Sequence, residues 1–127
     1  MSKNILVAED DPASAVLLTE LLTRWGYEVI VARDGREAIG QWMQRRPDLV
    51  LMDLQMPVLD GFATLAEMRG LEAEAHTPTI ALTAFAMPDD RLRIAAAGFD
   101  GYLTKPVRFE QLRQTIEAAL ADNPPHA

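Results

Sequence analysis

The chain reads Leu49-Val50-Leu51-Met52-Asp53 near its middle: four consecutive apolar residues and then a carboxylate. A short apolar run without polar alternation is typical of a strand that is covered on both faces. Strands of this kind occur in parallel sheets whose connections are helices. The run therefore predicts an α/β sheet, with Asp53 at the carboxyl end of one strand.

Further strand-like and helix-like segments surround this run in strict alternation. Pro12 suits the first turn of a helix, Gly26 and Gly98 suit helix ends, and Asp89 is the expected cap of the fourth helix. Such alternation predicts a parallel sheet with helices on both faces and right-handed crossovers. The predicted strands lie at residues 5–8, 27–32, 49–52, 79–82 and 102–103, and the predicted helices around residues 12–25, 38–43, 62–68, 89–97 and 109–121.

The composition limits the function further. The chain has 127 residues, 49% hydrophobic and 24% charged, which is an ordinary mixture for one globular domain. The absence of cysteine excludes disulfides, thiolate metal sites and a cysteine nucleophile. A net charge of −7 argues against a broad surface for nucleic acid or anionic lipid. Without a long apolar run or a signal-peptide pattern, we expect a soluble cytoplasmic domain that does not bind a membrane.

Polar side chains follow four of the five predicted strands. In an open α/β sheet, ligands bind beyond the carboxyl ends of the strands, so these side chains are expected to meet at one site. Several carboxylates in one place raise each other's pKa or require a cation. An oxygen-rich site without imidazole or thiolate favours Mg²⁺, and a nearby lysine and hydroxyl suit phosphoryl transfer to a carboxylate. The residues concerned are Glu9, Asp10 and Asp11 after the first strand, Asp53 after the third, Thr83 at the end of the fourth and Lys105 after the fifth.

With these residues in place, the chain resembles the receiver domains of two-component response regulators. The resemblance extends over almost its whole length. The resemblance implies a three-layer, flavodoxin-like (βα)5 fold with strand order 2-1-3-4-5 and a receiver domain at residues 1–121. Residues 122–127, which contain Pro124-Pro125, are expected to form a flexible tail. The motifs that carry it occur in the family's order and spacing: residues 5–11 (ILVAEDD), 51–57 (LMDLQMP), 60–61 (DG), 81–84 (ALTA) and 102–106 (YLTKP).

The resemblance also implies roles for individual residues. Asp53 resembles the phosphoryl-accepting aspartate. Asp10 resembles a direct Mg²⁺ ligand, Glu9 its acidic neighbour acting largely through water, and the backbone carbonyl of Gln55 a further ligand. Asp11 lies just beyond the usual acidic pair and is open to a role as a helix cap.

A second set of residues resembles the family's switch. Thr83 is similar to the hydroxyl residue that turns toward the phosphoryl group, Lys105 to the lysine that pairs with it, and Tyr102 to an aromatic residue that moves inward. The bond between Lys105 and Pro106 is expected to be cis. The implied function is a phosphorylation-controlled binding module, which catalyses only its own phosphorylation and dephosphorylation. Its implied donor is a sensor histidine kinase or a histidine phosphotransfer protein.

Other functions stay open at this point. An Mg²⁺-dependent phosphohydrolase with an aspartyl-phosphate intermediate is disfavoured, because Gln55 stands where such enzymes carry a second Asp. A degenerate receiver used as a scaffold is disfavoured by the intact acidic, hydroxyl and lysine set, and a nucleotide-binding enzyme by the lack of a phosphate-binding glycine motif. The chain suits either a stand-alone regulator or a receiver from a hybrid kinase.

Phe85 is expected to restrict the water that attacks the phosphoryl group, whereas His76 is expected to be exposed in a loop.

Overall fold

The structure is a computed structural model that describes residues 2–72, 76–84 and 87–121. Phe85 and the predicted tail at residues 122–127 lie outside the described residues. Strands and helices alternate without exception along the described chain. The elements are β1 (Asn4–Ala8), α1 (Pro12–Arg24), β2 (Glu28–Ala32), α2 (Gly35–Arg45), β3 (Leu49–Asp53), α3 (Gly61–Leu71), β4 (Thr79–Thr83), α4 (Pro88–Ala97), β5 (Gly101–Thr104) and α5 (Phe109–Ala121).

The five strands form one parallel sheet in the order β2-β1-β3-β4-β5, which confirms the expected fold. Strands β1 and β3 are direct neighbours, and Ala8 pairs with Met52 at their carboxyl ends. Strand β4 lies between β3 and β5, with Thr83 paired to Thr104. The residues that follow Ala8, Met52 and Thr104 therefore emerge at the same edge of the sheet.

Each face of the sheet is covered by its own hydrophobic cluster. Successive side chains of a strand point to opposite faces, and accordingly Ile5 and Val7 of β1 belong to one cluster and Leu6 and Ala8 to the other. The first cluster is closed by residues of α1 and α5 and the second by residues of α2, α3 and α4. The continuous apolar run of β3 is buried throughout, because both of its faces are covered.

Acidic caps start three of the helices at the edge where the strands end. The side chains of Asp11, Asp34 and Asp60 accept hydrogen bonds from the backbone N–H groups of Ser14, Glu37 and Ala63 at the starts of α1, α2 and α3. Such a bond satisfies one of the N–H groups that a helix start leaves without a partner. The cap role of Asp11, which the sequence left open, is therefore observed.

The start of α4 differs from the prediction. Asp89 was expected to cap this helix, but the helix begins at Pro88 and Met87 occupies the cap position. Proline is well suited to the first helical position because its ring fixes φ and its missing N–H has no role there. The Asp90 carboxylate accepts a hydrogen bond from the Met87 N–H at 3.2 Å. Asp89 therefore lies inside the first turn, where its charge faces the positive end of the helix dipole.

Candidate functional site

Two neighbouring strands deliver the acidic part of the site. Glu9 follows β1 directly, and its N–H donates to the Ala32 carbonyl of β2 at 2.9 Å. Asp53 is the last residue of β3, next to β1 in the sheet. Both side chains are almost fully buried, with Glu9 1% and Asp53 5% exposed. The sheet thus holds two carboxylates side by side in a place that water reaches poorly.

Lys105 lies between these two carboxylates. Its Nζ is 2.9 Å from Glu9 Oε1 and also 2.9 Å from Asp53 Oδ2. Lys105 follows β5, and its N–H donates to the Thr83 carbonyl of β4 at 2.8 Å, which sets the direction in which its side chain leaves the sheet. The bond to Pro106 is cis, as expected from the sequence. The Lys105 side chain therefore reaches past the end of β4, and its ammonium group bridges the carboxylates at the ends of β1 and β3.

The other oxygen of Asp53 is held by the backbone. The N–H of Gln55 donates to Asp53 Oδ1 at 3.0 Å. With Oδ2 held by Lys105, both oxygens of the carboxylate have a donor, so the orientation of the group is defined from two sides. The Gln55 carbonyl was expected to be a metal ligand, and that role stays a prediction.

The carboxylates of Glu9, Asp10 and Asp53 are close enough to share one cation. One oxygen from each of them lies within 4.8 Å of the others. The donors are all hard oxygen atoms, which is the donor set that Mg²⁺ prefers. Asp10 is exposed to solvent, so the cluster is open on that side and leaves room for water ligands. The residues present therefore fit Mg²⁺.

The crowding of charge changes the acid–base behaviour of the site. Burial of the Glu9 carboxyl, together with the adjacent Asp53 carboxyl, raises the pKa of Glu9 from 4.5 to about 7, although Lys105 acts in the opposite direction. Burial of Lys105 disfavours its charged form, but hydrogen bonds to Asp53 and Glu9 outweigh this and raise the pKa of Lys105. The lysine is therefore charged at neutral pH, while the acidic pair attracts a further positive charge.

Thr83 lies on β4, next to β3, and Tyr102 lies on β5, the strand beyond β4. Thr83 is the last residue of β4 and is buried. Tyr102 of β5 is half-buried and packs against the cluster on the side of α2, α3 and α4. The structure thus places Thr83 at the same sheet edge as Asp53 and Lys105, whereas Tyr102 lies two residues before the end of β5. Their roles as a switch pair stay predictions.

Asp11 is turned away from the acidic cluster. Its Oδ2 accepts from the Ser14 N–H at 3.0 Å and from the Ser14 hydroxyl at 2.7 Å. These hydrogen bonds lower the pKa of Asp11 below its usual value. Two of the three consecutive acids, Glu9 and Asp10, therefore face the site, and the third serves the helix.

Two features of the structure were not foreseen from the sequence. The role of Glu9 at the metal stays a prediction, and the contacts that were not foreseen are those of its two oxygens: one binds Lys105 and the other accepts the Asp11 N–H at 3.2 Å. His76 was expected to be a simple exposed loop residue. It is exposed, yet its Nε2 lies 2.7 Å from Asp100 Oδ1, at the edge of the sheet opposite to the site. The run of polar residues before β4 was the signal that could have indicated this second cluster.

Comparison with known proteins gives a consistent result. Residues 5–117 match the family model described as the response regulator receiver domain. The polar-differentiation response regulators DivK of Brucella anthropi and Brucella ovis are each 36% identical to this chain over 122 residues, which covers 96% of this chain and 99% of theirs.

Solved structures are similar over the same length. A response regulator described as putative from Chloroflexus aurantiacus has a TM-score of 0.90 and 29% identity, covering 95% of this chain and 99% of its own. The receiver domain of the sensor histidine kinase PA1611 from Pseudomonas aeruginosa has a TM-score of 0.87 and 34% identity, with the same coverage, and holds a magnesium ion in its active site cleft.

Within residues 2–72, 76–84 and 87–121, none of the helices has the length and apolar character needed to span a membrane.

Proposed function

The chain belongs to the response regulator receiver domain family and is a receiver domain of two-component signalling, and from this premise we propose that Asp53 is its phosphoryl acceptor. The observation that carries the proposal is the position of the Asp53 carboxylate. It is buried, it is held on one oxygen by the Gln55 N–H, and its other oxygen is 2.9 Å from a charged lysine within an acidic cluster that fits Mg²⁺.

The reaction is the transfer of a phosphoryl group from phosphohistidine of a partner protein. One oxygen of the Asp53 carboxylate forms a bond to phosphorus while the bond between phosphorus and the imidazole nitrogen breaks. The electron pair of that bond returns to the imidazole, and the product is an acyl phosphate. Such a transfer depends mainly on the position of the reacting groups and on compensation of charge.

Lys105 compensates part of this charge. Because its pKa is raised, its ammonium group is positive throughout the physiological range. It already contacts Asp53, so it is placed to pair with an oxygen of the transferred group without a large movement. We assign Thr83, buried at the same sheet edge, as a hydroxyl donor to another of these oxygens.

The metal site is assigned to Glu9, Asp10, Asp53 and the carbonyl of Gln55. When bound there, Mg²⁺ would supply positive charge to the transferred phosphoryl oxygens. Support comes from the spacing of the three carboxylates and from the magnesium ion in the cleft of the PA1611 receiver.

The proposed output is a change of surface. An acyl phosphate at Asp53 adds negative charge and acceptor oxygens beside Thr83. We propose that Thr83 and Tyr102 respond together, and that the surface formed by α4 and α5 then binds a target protein differently. Receiver domains are phosphorylated by histidine kinases, and the donor proposed for this chain is such a kinase or a histidine phosphotransfer protein.

The acceptor can be tested with a small donor that needs no partner. The protein is incubated with acetyl phosphate and Mg²⁺ and its intact mass is measured. We expect one added phosphoryl group, which is lost in Asp53→Asn and when the metal is chelated. Asp11→Asn is the matched control, because Asp11 lies next to the acidic cluster but caps α1, and asparagine is also a good cap.

Two outcomes would contradict this function. A mass that stays unmodified in the wild-type protein under all conditions would favour a scaffold receiver. Equal labelling of the wild-type protein and Asp53→Asn would place the acceptor elsewhere in the chain.

A further inference from the structure

The described residues at the start of helix α4 are more exposed than those that follow its end. Of its ten residues only Ile94 is buried. Met87, directly before the helix, and Leu92, in its first half, are 69% and 68% exposed. Just beyond the last turn, Phe99 is buried and packs edge-on against Phe62 of α3, with ring centroids 5.9 Å apart. Among the described residues, the first half of α4, close in sequence to Thr83, is therefore largely exposed, whereas the helix leads at its end into a buried residue.

A single guanidinium group joins the end of α4 to the end of α3. Arg69 Nη2 donates to the Gly98 carbonyl and to Asp100 Oδ2, both at 3.1 Å. Arg69 Nη1 donates to Glu72 Oε2 at 2.9 Å and to the Thr77 carbonyl at 3.0 Å. Hydrogen bonds of this charged type are about twice as strong as neutral ones. We name these five residues the Arg69 clamp.

The Arg69 clamp also fixes the amino ends of two strands. Asp100 Oδ2 accepts the Thr79 N–H at 2.7 Å, and the Asp100 N–H donates to the Thr79 carbonyl at 2.9 Å. Thr79 opens β4 and Asp100 directly precedes β5. His76 adds a 2.7 Å contact to Asp100 Oδ1 from the outside. The starts of β4 and β5 are thus tied to each other and to α3.

The clamp and the proposed phosphorylation site lie at opposite ends of the same strand. Strand β4 runs from Thr79 to Thr83, a distance of roughly 13 Å at about 3.3 Å per residue. Between α4 and β5 the chain passes through Gly98 with φ of 102°, a left-handed conformation that glycine adopts without strain. One end of the unit formed by β4, α4 and β5 is fixed, and the other carries Thr83 and Lys105.

We propose that Arg69 is a positioning residue that fixes the C-terminal end of α4, so that a change at the Thr83 end moves the first half of the helix about Gly98. The movement of α4 rests on the proposed function, since its trigger is phosphorylation of Asp53. The anchoring role of Arg69 does not, because the anchor exists in the unphosphorylated protein. Because its first half is largely exposed and its end is bound by the Arg69 clamp, α4 acts as a lever whose start, next to the site, is the moving end.

Amide hydrogen exchange, followed residue by residue with NMR, tests the anchor in the unphosphorylated protein. Replacement of Arg69 by Gln removes the charge and most of the donors. In Arg69→Gln we expect exchange at residues 96–100 to become roughly tenfold faster, which corresponds to a loss of about 1.4 kcal/mol of local stability. Exchange at residues 91–93 and in β1 should change little. Arg69→Lys, which keeps the charge but not the forked geometry, should recover only part of the protection.

Arg36→Gln is the matched control. Arg36 also forms an ion pair with a residue of α3, Glu67, at 2.9 Å, but it belongs to α2 and is exposed. The Arg36→Gln variant should leave amide exchange at residues 96–100 unchanged. A uniform acceleration throughout the domain in Arg69→Gln would show a loss of global stability only and would overturn the proposal. An unchanged pattern at residues 96–100 would do the same.

The lever is tested by repeating the measurement with acetyl phosphate and Mg²⁺. Within residues 91–100, the change in exchange in the wild-type protein should be confined to residues 91–93, and in Arg69→Gln it should extend to residues 96–100. Equal changes at both ends of α4 in the wild-type protein would overturn the lever. If the wild-type protein takes no phosphoryl group, the proposed function fails, whereas the result for the unphosphorylated protein still decides whether Arg69 is the anchor.

Discussion

Glu9 shows at the scale of one residue how a buried acid can serve two purposes. Its side chain has no solvent exposure, and one of its oxygens holds Lys105 at 2.9 Å. The same carboxylate is within reach of a cation shared with Asp10 and Asp53. Because its carboxyl is buried and the Asp53 carboxyl lies beside it, the pKa of Glu9 is raised, and Glu9 binds a proton more readily than an ordinary glutamate when no metal compensates the charge.

This property predicts how the stability of the metal-free protein depends on pH. The pKa of Glu9 is raised from 4.5 to about 7 in the folded protein. A raised pKa stabilises the folded state below the ordinary pKa, and this contribution disappears as the pH rises through 7. With a chelator present, we expect Glu9 alone to make the free energy of unfolding about 1 kcal/mol larger at pH 6 than at pH 8. Urea unfolding at pH 6 and at pH 8 measures this difference in the free energy of unfolding.

The pH dependence of one protein sums the contributions of all its groups, so the relevant quantity is a difference between two proteins. In Glu9→Gln the side chain keeps its shape but cannot titrate, and the contribution of Glu9 should vanish. The same pH dependence in the wild-type protein and in Glu9→Gln would contradict the assignment.

At the scale of one element, α2 contains two glycines with opposite requirements. Gly35 opens the helix, and a Cβ atom there would collide with the Thr64 hydroxyl and with backbone and side-chain atoms of Leu59. Gly40 lies in the same helix, and a Cβ atom there would have nothing within 4 Å. The first glycine therefore permits close approach of α2 to the loop that leads into α3, whereas the second has no such function.

We expect the same substitution to have opposite effects at these two positions. Gly35→Ala should lower the free energy of unfolding by about 2 kcal/mol, because the Leu59 backbone cannot easily move away. Gly40→Ala should raise it by about 0.5–1 kcal/mol, because alanine loses less conformational entropy in a helix. Urea unfolding of both variants gives the comparison. A stabilising Gly35→Ala would show that the loop at Leu59 adapts freely.

Elements also differ in how well their ends can be predicted. Helix ends that depend on a local cap are the easiest to predict, because the deciding hydrogen bonds join residues close in sequence. Gly98 ends α4 as predicted, and Asp11, whose cap role was left open, starts α1. The start of α4 was predicted wrongly, since Pro88 and Asp89 both suit a helix start and only the structure shows that Met87 takes the cap position. Strand β3 extends through Asp53, so that this residue keeps its sheet geometry.

For the whole molecule, the alternation of apolar runs and amphipathic segments was enough to predict a parallel sheet and the edge where Asp53, Thr83 and Lys105 meet. What it could not predict is which side chains touch there. The contact of Lys105 with Glu9 joins residues 96 positions apart and depends on side-chain length as well as topology. The Arg69 clamp was missed for the same reason, because its members come from α3, two loops and the end of α4.

The last prediction links the site to the stability of the whole domain. A cation that binds the folded acidic cluster but not the unfolded chain stabilises the fold, by about 1.4 kcal/mol when its concentration is ten times its dissociation constant. We therefore expect Mg²⁺ to raise the thermal unfolding temperature of the chelator-treated protein by a few degrees. The gain should be lost in Asp10→Asn, which removes an exposed carboxylate of the cluster. It should be kept in Asp11→Asn, whose carboxylate binds Ser14 instead. An equal gain in both variants would mean that Mg²⁺ acts by screening the net charge of −7 and not by binding at this site.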